Sequence, residues 1–200
     1  MGYENFRKIS QVTNRFGLQH ELGDIFSKIK PVKPSRWLQQ SLAIALEMPL
    51  TNEKVKAEKL ISPVLSEVAH AYKTQLTLFS GEELMVDPSK DLSGACDFFF
   101  ALHPPKVEME APIVSLVESK DEDMEWGVAQ CAGQMYGAHV FNERKNRTIP
   151  VIFGCTTTGV EWKFLKLENG IFTIDRKSLT TIPEILGAWH AVIQRYLPKD

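Results

Sequence analysis

The chain has 200 residues, 44% hydrophobic and 24% charged, with a formal net charge of −2. That length suits one domain with a sizeable core and is short for two, and the composition excludes disordered, collagenous and membrane-spanning classes. The charge is uneven: residues 1–40 hold seven Lys/Arg against three acids, residues 81–125 twelve acids against three lysines, and residues 126–200 nine Lys/Arg against six acids. A chain that gripped nucleic acid by counterion release alone would not gather acids in its middle.

Met1 to Lys8 lacks the apolar run of a signal peptide, and no run is long enough to cross a membrane. Cys96, Cys131 and Cys155 have no ligand spacing. Together these predict a cytoplasmic protein with reduced thiols, no disulfide framework and no zinc site.

In chain order, Ser35 after Pro34 reads as the cap of an amphipathic helix beginning at Arg36. Residues 1–50 read as a mildly basic N-terminal helical extension. Thr51-Asn52 then caps a helix over 53–72 with Val55, Leu60, Ile61, Val64, Leu65 and Val68 at helical spacing, which Pro63 should kink or divide. Gln75 to Phe79 alternates and ends at Ser80-Gly81, so it predicts a strand and a turn; Leu84 to Pro88 is a candidate extension of the sheet. Ala95 to Leu102 and Ile113 to Val117 predict two more strands, the second buried on both faces. A small-residue helix over 126–141 must be closely packed against something. Ile149 to Cys155, Val160 to Leu167 and Ile171 to Ile174 predict three strands, the last two joined by an Asn169-Gly170 hairpin turn. Ile182-Pro183 opens a closing helix over 182–197. The order of elements fits a single α/β or α+β domain spanning 1–200.

Two residues apart on a strand, Glu118 and Lys120 project to one side at the end of a buried run, and Asp97 stands directly before Phe98-Phe99-Phe100 on the preceding strand. Two acids and a lysine on neighbouring strands are the parts needed to hold a hard cation and aim a water. Spacing alone selects nothing, because acid-x-Lys also occurs at Glu143-Lys145, Glu161-Lys163 and Asp175-Lys177. The first of these reads as a charged loop, the second as the solvated face of a strand beside Val160, Trp162 and Phe164. The third reads as a polar turn. From the residues alone, Glu118 with Lys120 also fits a surface ion pair, Asp97 a cap on the Gly94 turn, and Glu58 simple charge balance on a lysine-rich helix.

A helix carrying Glu58, a strand, Gly94-x-x-Asp97, a strand ending in Glu118-x-Lys120 and a helix carrying Gln130 resemble the PD-(D/E)XK nuclease superfamily. The segments "FSGEELMVD", "SGACDFFF", "VESK", "GVAQCAGQMYGAHVFN" and "GCTTTGVEWKFLKLENG" resemble its uncharacterised bacterial members. The resemblance covers about 53–175 and implies a restriction-endonuclease-like core, a central mixed β-sheet flanked by helices in the order αβββαβ. It further implies a Mg²⁺-dependent (or Mn²⁺-dependent) endonuclease acting on DNA, with Asp97 and Glu118 as metal ligands. Glu58 becomes their accessory acid at the metal, Lys120 the residue that orients the attacking water, and Gln130 the accessory glutamine. Dimerisation is a further implication, since many members cut both strands. Cys96 stands in place of the family's proline, and Gln134, on the same helix face as Gln130, has no assigned role. The rival expectation is a nuclease-fold protein that binds or assembles without cutting; a third is a nuclease whose DNA contacts come from a partner.

Overall fold

The computed structural model describes residues 2–198. Seven strands form one mixed sheet: β1 (Gln19–Gly23), β2 (Thr77–Ser80), β3 (Phe98–Ala101), β4 (Ile113–Ser119), β5 (Val151–Thr157), β6 (Trp162–Glu168) and β7 (Ile171–Asp175), in the spatial order β1-β7-β6-β5-β4-β3-β2. The β4–β5 and β1–β7 pairs are parallel and the other four antiparallel. Helices α1 (Ile9–Phe16), α2 (Arg36–Leu46), α3 (Glu53–Lys56), α4 (Ser62–Ala71), α5 (Met124–Arg144) and α6 (Ile182–Gln194) flank it. The α/β class holds.

Side-chain alternation on the central strands builds two cores. Phe99 and Leu116 face a cluster with Ala132 and Met135 of α5, while Phe98, Phe100 and Val117 face one with Leu65 of α4 and Trp189 of α6. Every residue of β4 is buried, its polar Ser115, Glu118 and Ser119 included, as expected of a central strand covered on both faces. Asn169 and Gly170 both have positive φ (52° and 76°), the geometry of a tight hairpin turn between β6 and β7.

The small residues of α5 have a specific neighbour. A Cβ at Gly133 would lie 2.6 Å from the Phe6 ring, and one at Gly137 would overlap the Tyr3 hydroxyl. Tyr3 and Phe6 are 1% and 3% exposed, each worth about 1.5–3 kcal/mol of apolar burial. The N-terminal segment is therefore clamped on α5.

Three expectations need correction. Residues 1–50 are more than a helical extension, because β1 adds an edge strand parallel to β7. Its sequence, Gln-His-Glu-Leu-Gly, is almost wholly exposed and has no apolar alternation, so the ladder to β7 places it without a periodic signal. Leu84 to Pro88 makes only one isolated bridge, Asp87 with Leu92, next to the bridge of Glu83 with Ala95, and is a loop folded on itself. Glu143 belongs to the last turn of α5, not to a loop. Pro63 acts as expected: the segment Ala57–Ile61 before it is a wide π-helical turn, with Ser62 N donating to Ala57 O. The extra residue in that turn accommodates a ring that would meet the carbonyl four residues back.

Candidate functional site

Antiparallel register sets the first contact. Phe98 pairs with Val117 and Phe99 with Leu116, so Asp97, one residue before β3, stands across from Glu118. Asp97 Oδ2 accepts from the Ser119 backbone N–H at 2.7 Å and from Ser119 Oγ at 2.6 Å. Its partner is thus the end of β4, not the Gly94 turn.

Glu118 is 2% exposed, and both its oxygens are engaged. Oε1 accepts from Lys120 Nζ at 2.6 Å and Oε2 from Gln134 Nε2 at 2.6 Å. Burial pushes the Glu118 carboxyl up to about 8, and the charge of Asp97 adds to the rise; Lys120 and Gln134 oppose it without cancelling it. Burial pulls the Lys120 ammonium the other way, but Glu118, Glu53 and Asp97 together outweigh that and leave it above its ordinary value. Lys120 therefore stays a cation and a hydrogen-bond donor.

Lys120 is held along its length. Its backbone N–H donates to Thr157 O at 2.9 Å, and its Nζ lies 4.8 Å from the centre of the Trp126 ring. Gly127 leaves room for its stem: a Cβ there would stand 2.8 Å from Lys120 Cγ and would overlap Thr156 Oγ1. Gly127, Gln130 and Gln134 recur at helical spacing, so one face of α5 lies over the Glu118 strand end.

Beside this cluster is a cavity of about 340 Å³ lined by Glu53, Glu58, Gly81, Asp97 and Ser119 among others. Glu58 shares its wall with Asp97, yet the acid that approaches Lys120 is Glu53, whose Oε1 lies 3.9 Å from Nζ. Burial raises the Glu53 carboxyl; Lys120 lowers it, and the charges of Asp97 and Asp121 raise it further. As an acid in the first turn behind the Asn52 cap, Glu53 is accounted for in sequence by the helix dipole and gives no other signal. Likewise the glutamine on Glu118 is Gln134. Gln130 lies one turn earlier, and among the described residues its buried Oε1 has no hydrogen-bond partner.

Among the described residues, no group of three or more His, Cys, Asp or Glu side chains is gathered tightly enough to hold a metal ion. Asp97, Glu118 and Glu58 therefore do not form a three-acid cage. Asp97 and Glu118, at opposed positions of β3 and β4, are the acids that would hold Mg²⁺, an ion that keeps several waters and takes one or two carboxylates from a protein. The donor set also favours a cation, because burial and Asp97 oppose the ionisation of Glu118 and a nearby positive charge would offset both. The three cysteines are free and buried.

The chain matches no protein-family model, and no curated protein matches it in sequence. Fold and site define an α/β protein with a carboxylate–lysine cluster at one end of its mixed sheet. No helix among the described residues is long and apolar enough to cross a membrane.

Proposed function

We propose that this protein is a restriction-endonuclease-like, Mg²⁺-dependent nuclease that hydrolyses phosphodiester bonds of DNA. The observation that carries the reading is Asp97 facing Glu118 across the β3–β4 pair, with the Lys120 ammonium 2.6 Å from Glu118 beside an open cavity. The order α–β–β–β–α–β from α4 to β5 supports it, as does the resemblance of the segments around Asp97, Glu118 and Lys120 to PD-(D/E)XK nucleases.

In this reading Asp97 and Glu118 are the ligands of Mg²⁺ or Mn²⁺. The bound cation supplies Lewis-acid stabilisation of the charge that builds on the phosphoryl oxygens. Lys120, kept cationic by its acidic neighbours, orients the attacking water by donating a hydrogen bond to it; it is a poor general base for the same reason. Gln134 holds Glu118 in place, and Glu53 draws the ammonium toward the cavity.

One observation favours a second reading, a nuclease-fold protein that binds without cutting. Both Glu118 oxygens are already taken by Lys120 and Gln134, and a cation must share or displace one of them. Incubating labelled single- and double-stranded DNA with Mg²⁺ or Mn²⁺ separates the two. The nuclease reading expects cleavage by the wild type and none by Lys120→Ala; equal cleavage by both, or none under any condition, rejects it.

A further inference from the structure

A groove of about 500 Å³ runs between the N-terminal segment, β1, β6, β7 and the first turns of α5. Arg7, Lys8, His20 and Lys163 line it against one acid, Glu125. Between these side chains lie apolar ones, among them Val128 of α5 and Leu22, which is 62% exposed on β1. The solvated-face expectation for Lys163 is thereby sharpened: it is half-buried in the groove wall, with Nζ donating to Asp175 O at 3.3 Å.

The groove and the cavity beside the carboxylates share no lining residue, but one side chain links the groove to Lys120. One ring, that of Trp126, carries the Arg7 guanidinium at 3.7 Å and the Lys120 ammonium at 4.8 Å. Across the sheet, Glu118 pairs with Thr156 and Thr156 with Lys163, so carboxylate and groove lysine share one face two strands apart, about 10 Å at the usual strand spacing.

We infer that this groove binds a single-stranded nucleic-acid segment leading away from the Asp97–Glu118 site, and that the N-terminal segment supplies its main phosphate contacts. The inference rests on the nuclease reading and names where its substrate lies. Exposed cations along a groove pair with phosphates, and exposed apolar surface between them covers the faces of unpaired bases. A duplex stacks its bases inside and leaves such surface without a partner. The excess of Lys/Arg over acids in residues 1–40 gains a purpose here, through the two exposed residues nearest the site.

The test is fluorescence anisotropy of a labelled oligothymidylate, its hairpin duplex counterpart and an RNA of matching length, on the full chain with chelator present. For Arg7→Ala/Lys8→Ala, the affinity for the single strand should fall about tenfold or more at low salt. The slope of log affinity against log salt should become shallower by about 1.4, since each single-strand phosphate contact carries about 0.7. Lys8→Glu, whose exposed side chain leaves the Trp126 stack untouched, should weaken binding as well, and Lys106→Ala, in the loop between β3 and β4, should not. Unchanged affinity and slope in both groove variants, or tighter binding of the duplex than of either single strand, overturns the inference while leaving the nuclease reading intact if the wild type cleaves DNA. A wild type that binds none of the three with chelator present and, in a separate incubation with Mg²⁺ or Mn²⁺, cleaves none of them overturns both.

Discussion

Gln134 Nε2 donates to Glu118 Oε2 at 2.6 Å, and neither side chain is more than 2% exposed. That bond fixes the carboxylate against α5 while Lys120 holds its other oxygen. Gln134→Leu keeps the volume and removes the donor, leaving a buried carboxylate half-satisfied. The expected cost is about 1–3 kcal/mol in urea unfolding, with the Glu118 carboxyl driven further up and any cleavage profile moved to higher pH. A variant of wild-type stability would show that the bond does not anchor Glu118.

The raised Glu118 carboxyl makes stability depend on pH in a definite direction. In the unfolded chain it titrates near 4.5 and in the folded chain near 8. Between those values the folded protein holds a proton that the unfolded chain has released, so its contribution is fully present below about 4.5 and is lost as pH rises through about 8. Urea midpoints measured without divalent cation should therefore fall more steeply with pH for the wild type than for Glu118→Gln. Parallel curves for the two proteins would mean that Glu118 is ionised in the fold at neutral pH.

Gly127→Ala sets helix propensity against space. In an exposed helix the change would gain up to about 1 kcal/mol. Here the new methyl meets Thr156 Oγ1 and the Lys120 stem, so overpacking should win, costing about 1–3 kcal/mol. Lys120 is displaced in the same step, and cleavage should fall with stability. A thermally stabilised, fully active variant would contradict the packing described at this position.

Glu53 and Glu58 separate the observed geometry from the pattern that the family resemblance implies. Glu53 lies 3.9 Å from Lys120 and is partly exposed, which limits its electrostatic leverage. Glu53→Gln should lower cleavage several-fold, up to about tenfold, and Glu58→Gln less. Single-turnover rates of the two variants check the order, and the reverse order would restore Glu58 as the accessory acid.

The legible part of the site was the part written within strands. Glu118 and Lys120 share a side because strands alternate, and Asp97 faces them because two consecutive strands pair antiparallel. What stayed hidden depends on tertiary placement. Glu53 is disguised as an ordinary first-turn acid, and the π-helical turn before Pro63 changes the phase that would rank it against Glu58. Which glutamine reaches Glu118 is set by how far α5 slides along β4, not by any local spacing. The exposed edge strand β1 lacks the apolar alternation by which sequence announces a strand, so the groove it helps to wall could not be foreseen.

The central claim is tested most directly by the rate of DNA cleavage as a function of Mg²⁺ concentration, for the wild type, Asp97→Ala and Lys120→Ala, each confirmed folded by circular dichroism. Cation-dependent, saturable cleavage by the wild type, with both variants reduced by at least about a hundredfold, is the predicted result. Cleavage that is independent of divalent cation, or that survives in Asp97→Ala and Lys120→Ala at the wild-type rate, would contradict the account.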